Sequence, residues 1–135
     1  MTNGGIMDDF WEGIKWFKPE EFMCKHLMPG VCEHKGEDMM SHEFVRRLDF
    51  IREEFGKPLI VTSGFRCEKY DRSIGGKGNH PKGDAGDLLV AKGEDMYLFI
   101  DICHRAKIAR IMVYKSKPHI HIDMIVNKPE GLFVL

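Results

Sequence analysis

The sequence predicts an α+β fold, in which helices pack on one face of a small, mostly antiparallel sheet. Two observations support this prediction: segments with apolar residues at helical spacing, and short β-branched or alternating runs that lie between and after them. At 135 residues with 43% hydrophobic content, the chain can form one modest core but not two. We therefore expect a single domain over residues 1–135.

Each predicted helix and strand has its own sequence signal. Residues 41–55 form the clearest helix, because apolar residues recur at helical spacing, Ser41 can cap the start and Gly56 can close the end. A second helix is predicted over residues 94–107, which carry one apolar stripe. Strands are predicted at residues 59–62, 87–90, 108–114 and 119–126. A tight polar connection joins the last two.

The segment between the first two predicted strands differs from the rest. Residues 64–86 are rich in glycine and are predicted to form a long loop without regular structure. A loop of about that length is uncommon in a compact domain unless it has a function. We therefore expect the functional site to include this loop.

The composition argues against several classes of protein. With a net charge of -1, the chain has no basic excess to neutralise a row of phosphates, so we expect no nucleic-acid partner. No apolar run approaches the ~20 residues that cross a bilayer, so we expect no membrane partner. The first residues lack the features of a secretory signal, which predicts a cytoplasmic protein as encoded, with reduced cysteines. We expect it to be a monomer.

Two segments carry the side chains of a metal site. His80 and Asp87 lie seven residues apart across a turn rich in small residues, which allows both to reach one ion. Polar and apolar residues alternate in the last predicted strand, so His119, His121 and Asp123 share one face. Three N or O ligands leave a fourth zinc position open for water, as in catalytic sites, and His80, Asp87 and one strand histidine meet this requirement. The alternative is surface histidines and a loop aspartate without a metal.

Four motifs in order along the chain resemble those of the zinc D-Ala-D-Ala carboxypeptidase family and its phage endolysin relatives. They are Ser63-Gly64-Phe65-Arg66-Cys67, Ile74-Gly75-Gly76, His80-x-x-Gly83-x-Ala85-x-Asp87 and His121-Ile122-Asp123. The resemblance begins near Phe17 and continues nearly to Leu135, so that residues 1–16 form an N-terminal extension. An ordered set of motifs is more specific than any one of them. The resemblance implies the α+β zinc-site fold that these peptidases share with hedgehog domains.

The resemblance also implies a role for each matching residue. His80, Asp87 and His121 match the zinc ligands, and Arg66 matches the arginine that holds a substrate carboxylate. A planar guanidinium in a loop flanked by glycine can bind a carboxylate through two parallel hydrogen bonds. Without the motif, Arg66 would be interpreted as a solvated loop charge.

The group that transfers protons departs from the family pattern. Several relatives carry Glu or Asp three to six residues before the last zinc histidine, whereas this chain has Lys115 and Pro118 in that interval. His119 shares the face of His121 and resembles the first histidine of the His-x-His pair in the hedgehog signalling domain. We therefore expect His119 to act as a general base or to stabilise an oxyanion, with a merely structural role as the alternative. Asp123 is expected to orient a ligand or to hydrogen-bond the loop rather than to attack the substrate.

The activity implied by the resemblance is zinc-dependent hydrolysis of a peptide bond in peptidoglycan stem peptides. The enzyme would be a D,D-carboxypeptidase or an endopeptidase, as in phage lysins that act on the cell wall after release. A second hypothesis is a zinc-containing binding module of the same fold without activity. A third is a reduced zinc-binding or interaction protein built around Cys24, His26, Cys32 and His34. The one-residue gaps in this cluster depart from the usual zinc spacing, so thiols and surface histidines without a metal are the alternative.

Overall fold

The sheet of the protein has five strands and mixed pairing. The computed structural model describes residues 9–25, 32 and 38–135. Its strands are β1 (Ile60–Ser63), β2 (Ala85–Leu89), β3 (Arg110–Val113), β4 (His119–Asp123) and β5 (Gly131–Val134), in the order β1-β2-β4-β3-β5. Three pairs are antiparallel and the β3–β5 pair is parallel, so the predicted α+β class with a mostly antiparallel sheet is confirmed. β5 was not predicted.

Two longer helices match the two that the apolar patterns predict. They are α1 (His42–Phe55) and α3 (Glu94–Arg105), with the shorter α2 (Glu68–Ser73) between them in the chain. At the start of α1 the backbone N–H of Phe44 donates to Ser41 Oγ at 3.3 Å, and at its end Gly56 adopts a left-handed conformation with φ 77°. None of the helices within the described residues is both long and apolar enough to cross a membrane.

The core lies between one face of the sheet and these two helices. Leu88 of β2 and Ile122 of β4 are fully buried together with Phe44 of α1 and Phe99 of α3. Gly86 marks this face, because a Cβ there would lie 3.5 Å from the ring of Phe44. Since each buried apolar side chain of this size contributes ~1.5–3 kcal/mol, this helix-facing side fixes the position of β2 and β4.

Because side chains alternate along a strand, the opposite face of the same strands carries the polar residues. Asp87 lies directly opposite His121 in the β2–β4 pair, and Arg110 lies opposite Asp123 in the β3–β4 pair. All four are buried, although they do not face the helices. We call this side of the sheet the site face.

The segment 64–86 differs from the prediction, since it is not an irregular loop throughout. It contains α2 and a 3₁₀ turn at His80–Lys82, and Cys67 Sγ accepts a hydrogen bond from the backbone N–H of Tyr70 at the start of α2. Both elements are shorter than two helical turns, so they carry too few residues to show an apolar period.

The N-terminal part of the described chain packs against the start of this segment. The backbone N–H of Phe65 donates to the carbonyl oxygen of Phe22 at 2.8 Å. A Cβ at Gly64 would lie 2.7 Å from the Cα of Phe22, so the two backbones approach so closely that only glycine fits at position 64. This contact places residues 22–24 beside residues 64–67.

Candidate active site

Three side chains that the sequence predicts as metal ligands converge on the site face. Nitrogen atoms of His80 and His121 and a carboxylate oxygen of Asp87 all lie within 4.8 Å of one another, and the three side chains are buried. Asp87 and His121 come from the paired strands β2 and β4, and His80 from the 3₁₀ turn that precedes β2. Gly83 ends this turn with φ 80°, at a point where a Cβ would overlap the carbonyl oxygen of Met39.

The orientation of the His80 ring is set by a backbone carbonyl. Its Nδ1 lies 2.7 Å from the carbonyl oxygen of Gly64, which can only accept, so Nδ1 carries the proton. In the neutral form of this ring, Nε2 carries the lone pair, and it lies 3.4 Å from Asp87 Oδ1. The lone pair that a metal requires is therefore directed towards the other two predicted ligands.

His121 is held between two carboxylates. Its Nδ1 lies 2.9 Å from Asp87 Oδ1 and its Nε2 lies 2.7 Å from Asp123 Oδ2. Burial alone would lower the pKa of His121, but hydrogen bonds to Asp123 and Asp87 raise it. Burial would raise the pKa of the Asp87 carboxyl, but the neighbouring rings of His121 and His80 hold it well below its usual range. Nδ1 of His121 and Oδ1 of Asp87 are thus placed to share either a proton or a metal ion.

Asp123 is fixed in turn by an arginine that sequence reasoning missed. Arg110 donates from Nε to Asp123 Oδ1 at 3.0 Å and from Nη2 to Oδ2 at 2.8 Å, and both side chains are buried. Burial would raise the pKa of Asp123, but hydrogen bonds from His121, Arg110 and the backbone N–H of Ile125 lower it to about 2. The only sequence signal for this pair was a single arginine in an otherwise apolar strand.

Arg66 reaches the same group from the other side. Its guanidinium donates to Ser63 Oγ at 2.8 Å, to Asp71 Oδ1 at 2.8 Å and to Asp87 Oδ2 at 3.1 Å. These three contacts use three of its five N–H groups, which leaves two for another acceptor. Asp71, which is 2% exposed and also accepts from the backbone N–H of Gly78 at 3.0 Å, is a second residue that sequence reasoning missed.

His119 lies at the edge of the group rather than inside it. Its Nε2 is 4.0 Å from Asp87 Oδ2, and its ring centroid is 5.1 Å from that of Tyr114. Burial lowers the pKa of His119, against the opposing effect of the Asp87 carboxylate, so the imidazole is largely neutral near pH 7. The structure therefore brings every predicted site residue to one region of the site face.

Comparison with known proteins agrees with this arrangement. A family model described as Peptidase M15 matches residues 15–123, which is most of the chain. The chain belongs to the M15 peptidase family. A search of curated proteins found no match. Members of the family are zinc-dependent peptidases, and the chain is accordingly a metallopeptidase of this type.

The donor set of this M15 peptidase fits zinc. Bonds of about 2.0–2.1 Å to a tetrahedral ion separate neighbouring ligand atoms by about 3.3 Å. The distances from Asp87 Oδ1 to His121 Nδ1, 2.9 Å, and to His80 Nε2, 3.4 Å, are close to this value. Two nitrogens and one oxygen leave the fourth position open, as in catalytic rather than structural zinc sites.

The three donors border an open cleft of the M15 peptidase. Its volume is about 540 Å³. The side chains that line it include the predicted ligands, Arg66, His119 and Tyr114, and the cationic side chains of Lys77, Lys117 and Lys128. Burial, together with the nearby Asp87 carboxylate, raises the pKa of Tyr114, so its phenol stays protonated and can donate a hydrogen bond. The cleft therefore combines donors for an anion with an open metal position.

Replacing Gly76 with alanine should lower the free energy of unfolding by ~1–3 kcal/mol, because the new methyl group has no room. A Cβ at Gly76 would overlap the carboxylate of Asp71, which holds Arg66 beside Asp87. Urea unfolding measures the change, with Gly13→Ala as the matched control, since among the described residues a Cβ there meets only the carbonyl oxygen of Phe10, at 3.4 Å. Equal stability of the two variants would contradict the predicted overlap.

Only the two cysteines of the alternative metal cluster, Cys24 and Cys32, lie within the described residues. Cys24 and Cys32 lie close together, as the sequence pattern required, but their third neighbour is Cys67. His26 and His34 lie outside the described residues. The structure thus adds a cysteine from a distant part of the chain that the local spacing did not reveal.

Proposed function

We propose that this M15 peptidase hydrolyses a peptide bond in peptidoglycan stem peptides, with zinc bound by His80 Nε2, Asp87 and His121 Nδ1. The observation that carries the proposal is the convergence of these three donors at the wall of a cleft, each held by a neighbour on its far side. Gly64 orients His80, Asp123 orients His121, and Arg66 contacts Asp87. Such support is typical of metal sites whose ligands must keep a fixed geometry during turnover.

Zinc held by these three residues would supply a nucleophilic water at neutral pH and polarise the scissile carbonyl. His119 faces the same cleft, and its lowered pKa leaves it neutral and able to accept a proton there. Tyr114, beside His119, keeps its phenolic proton and can donate a hydrogen bond to the oxygen that becomes negative. Asp123 holds the ring of His121, which makes it a positioning residue rather than a catalytic one.

The charge of the cleft supports an anionic peptide as the substrate. Asp87 is the one carboxylate side chain among the described residues that line it, and it already pairs with the guanidinium of Arg66. Lys77, Lys117 and Lys128 add further positive charge to the walls. The two unused N–H groups of Arg66 can hold a substrate carboxylate, such as the terminal carboxylate of a stem peptide.

A zinc-containing binding module without catalytic activity is the second candidate. The lining of the cleft favours it, because the described residues there offer no carboxylate side chain besides the ligand Asp87 to act as a general base. On this alternative, His119 would be a structural side chain packed on Tyr114. The two candidates share the metal site and differ in whether a bond is broken.

Incubation of the zinc-loaded protein with purified peptidoglycan separates the candidates. We expect new free amino groups to appear, with release of free D-alanine if the enzyme is a carboxypeptidase and without it if it is an endopeptidase. A chelator should stop the reaction, and added zinc should restore it. Peptidoglycan that is bound but not cleaved in the presence of zinc would support the binding module and overturn the hydrolase proposal.

A further inference from the structure

A second cluster of possible metal ligands lies away from the cleft. The sulfur atoms of Cys24, Cys32 and Cys67 all lie within 4.8 Å of one another, and all three residues are buried. They come from three separate parts of the chain: the segment after the first 3₁₀ turn (Pro19–Phe22), residue 32, and the residue that precedes α2. Three thiols brought together in this way differ from a single cysteine that fills space in a core.

We infer that Cys24, Cys32 and Cys67 bind a second zinc ion, which has a structural role. Zinc–sulfur bonds of about 2.3 Å in a tetrahedral site place neighbouring sulfurs about 3.8 Å apart. Sulfur atoms that are all within 4.8 Å of one another therefore reach one ion with shifts of a few tenths of an ångström. Soft thiolate donors select zinc over magnesium or calcium, which prefer oxygen.

The backbone around the cluster provides hydrogen bonds of the kind that support metal-bound sulfur. The N–H of Cys67 donates to Cys24 Sγ at 3.3 Å, and the N–H of Tyr70 lies 3.5 Å from Cys67 Sγ. Donors of this kind fix the positions of sulfur ligands and share their negative charge. Structural zinc sites use four ligands that are rich in cysteine. His26 and His34 each follow one of these cysteines by two residues and lie outside the described residues.

Cys103 is a buried cysteine that packs in the core without a metal-binding role. It is fully buried on α3 in the same hydrophobic core but does not belong to the group of three thiols. Burial strongly raises the pKa of its thiol, so it stays protonated and unsuited to bind a metal. Cys103 is therefore the matched control for the cluster.

The position of the cluster indicates what the second zinc does. Cys67 follows Arg66, whose guanidinium contacts the predicted ligand Asp87. Cys24 follows the segment whose Phe22 carbonyl accepts from the N–H of Phe65. An ion shared by these thiols cross-links the N-terminal segment to the strand-to-helix connection that carries Arg66, and structural zinc of this kind contributes directly to folding.

Metal analysis of the full-length chain tests the inference. We expect two zinc ions per wild-type chain, one in each of Cys24→Ser, Cys32→Ser and Cys67→Ser, and two in Cys103→Ser. The three serine variants should also unfold at lower temperature than Cys103→Ser. Equal zinc in Cys24→Ser and Cys103→Ser would overturn the inference.

Cobalt substitution gives a measurement that needs no cysteine variant, in case those variants fail to fold. Cobalt bound by thiolates gives a charge-transfer absorption in the near ultraviolet, which a site of two histidines and an aspartate cannot give. We expect this absorption in the wild type and in His121→Ala, whether or not the protein hydrolyses peptidoglycan. Its absence from the cobalt-loaded wild type would overturn the second site and leave the hydrolase proposal untouched.

Discussion

Replacing His121 with alanine should remove one zinc ion per chain and abolish peptide hydrolysis. The ring supplies the Nδ1 donor that faces Asp87 and also connects the ligand group to Asp123 through Nε2. Without it only two protein donors remain, and a site with two donors binds zinc far more weakly than one with three. Metal content after dialysis and release of amino groups from peptidoglycan are the two measurements.

His104→Ala is the matched control for this variant, because His104 is an exposed histidine on α3, outside the cleft. It should keep the zinc content and the activity of the wild type. Circular dichroism of His121→Ala is needed as well, since the change leaves the carboxylates of Asp87 and Asp123 buried with one partner fewer. A folded His121→Ala protein that keeps its full zinc content would remove His121 from the ligand set.

Replacing His119 with alanine should reduce turnover by ~10²-fold or more while the zinc content stays unchanged. His119 borders the cleft but lies 4.0 Å from the nearest oxygen of Asp87, so it contacts the ligand group without belonging to it. Its loss removes a neutral imidazole from the reaction and leaves the three metal donors in place. The value of kcat should therefore fall much more than KM rises.

Chemical rescue distinguishes a proton-transfer role of His119 from a structural one. Added imidazole can enter an open cleft and should restore part of the activity of His119→Ala, whereas packing lost beside Tyr114 would not be restored by a base in solution. His104→Ala again serves as the control and should show no response to imidazole. Full activity of His119→Ala would show that another group handles the proton.

Short-range patterns predicted the elements that place the ligands. The alternation of β4 put His121 and Asp123 on one face, and the caps at Ser41 and Gly56 gave the limits of α1 within one residue. The convergence of His80 with His121 was different, since no local pattern brings residues so far apart together. It was inferred from the ordered motifs, and the structure brings these residues together.

The partners of buried charges could not be predicted in the same way. Arg110 binds Asp123 only because β3 and β4 pair in one particular register, and Asp71 meets Arg66 only because α2 forms within the segment 64–86. No local sequence pattern linked Arg110 or Asp71 to the residue that it binds. Cys67 joined the other two cysteines for the same reason, since its neighbours depend on tertiary contacts.

β5 was missed because almost nothing in its sequence marks it. It has four residues, most of them exposed, and it pairs only along one edge, in parallel with β3. A parallel partner needs no hairpin turn, so the turn signals that predict antiparallel neighbours were lacking. The strand extends the sheet beyond β3 without adding to the site.

The division of β4 between a helix-facing side and a site face has a consequence for how the chain can misfold. A one-residue shift in the register of β4 would turn Ile120 and Ile122 towards the cleft. The same shift would place His121 and Asp123 in the hydrophobic core against the helices. This change of register would bury two polar side chains without partners and expose two apolar side chains. The residues on both faces of β4 therefore favour the native register. A nascent chain with the strand in the wrong register is less stable, so the strand can separate and pair again.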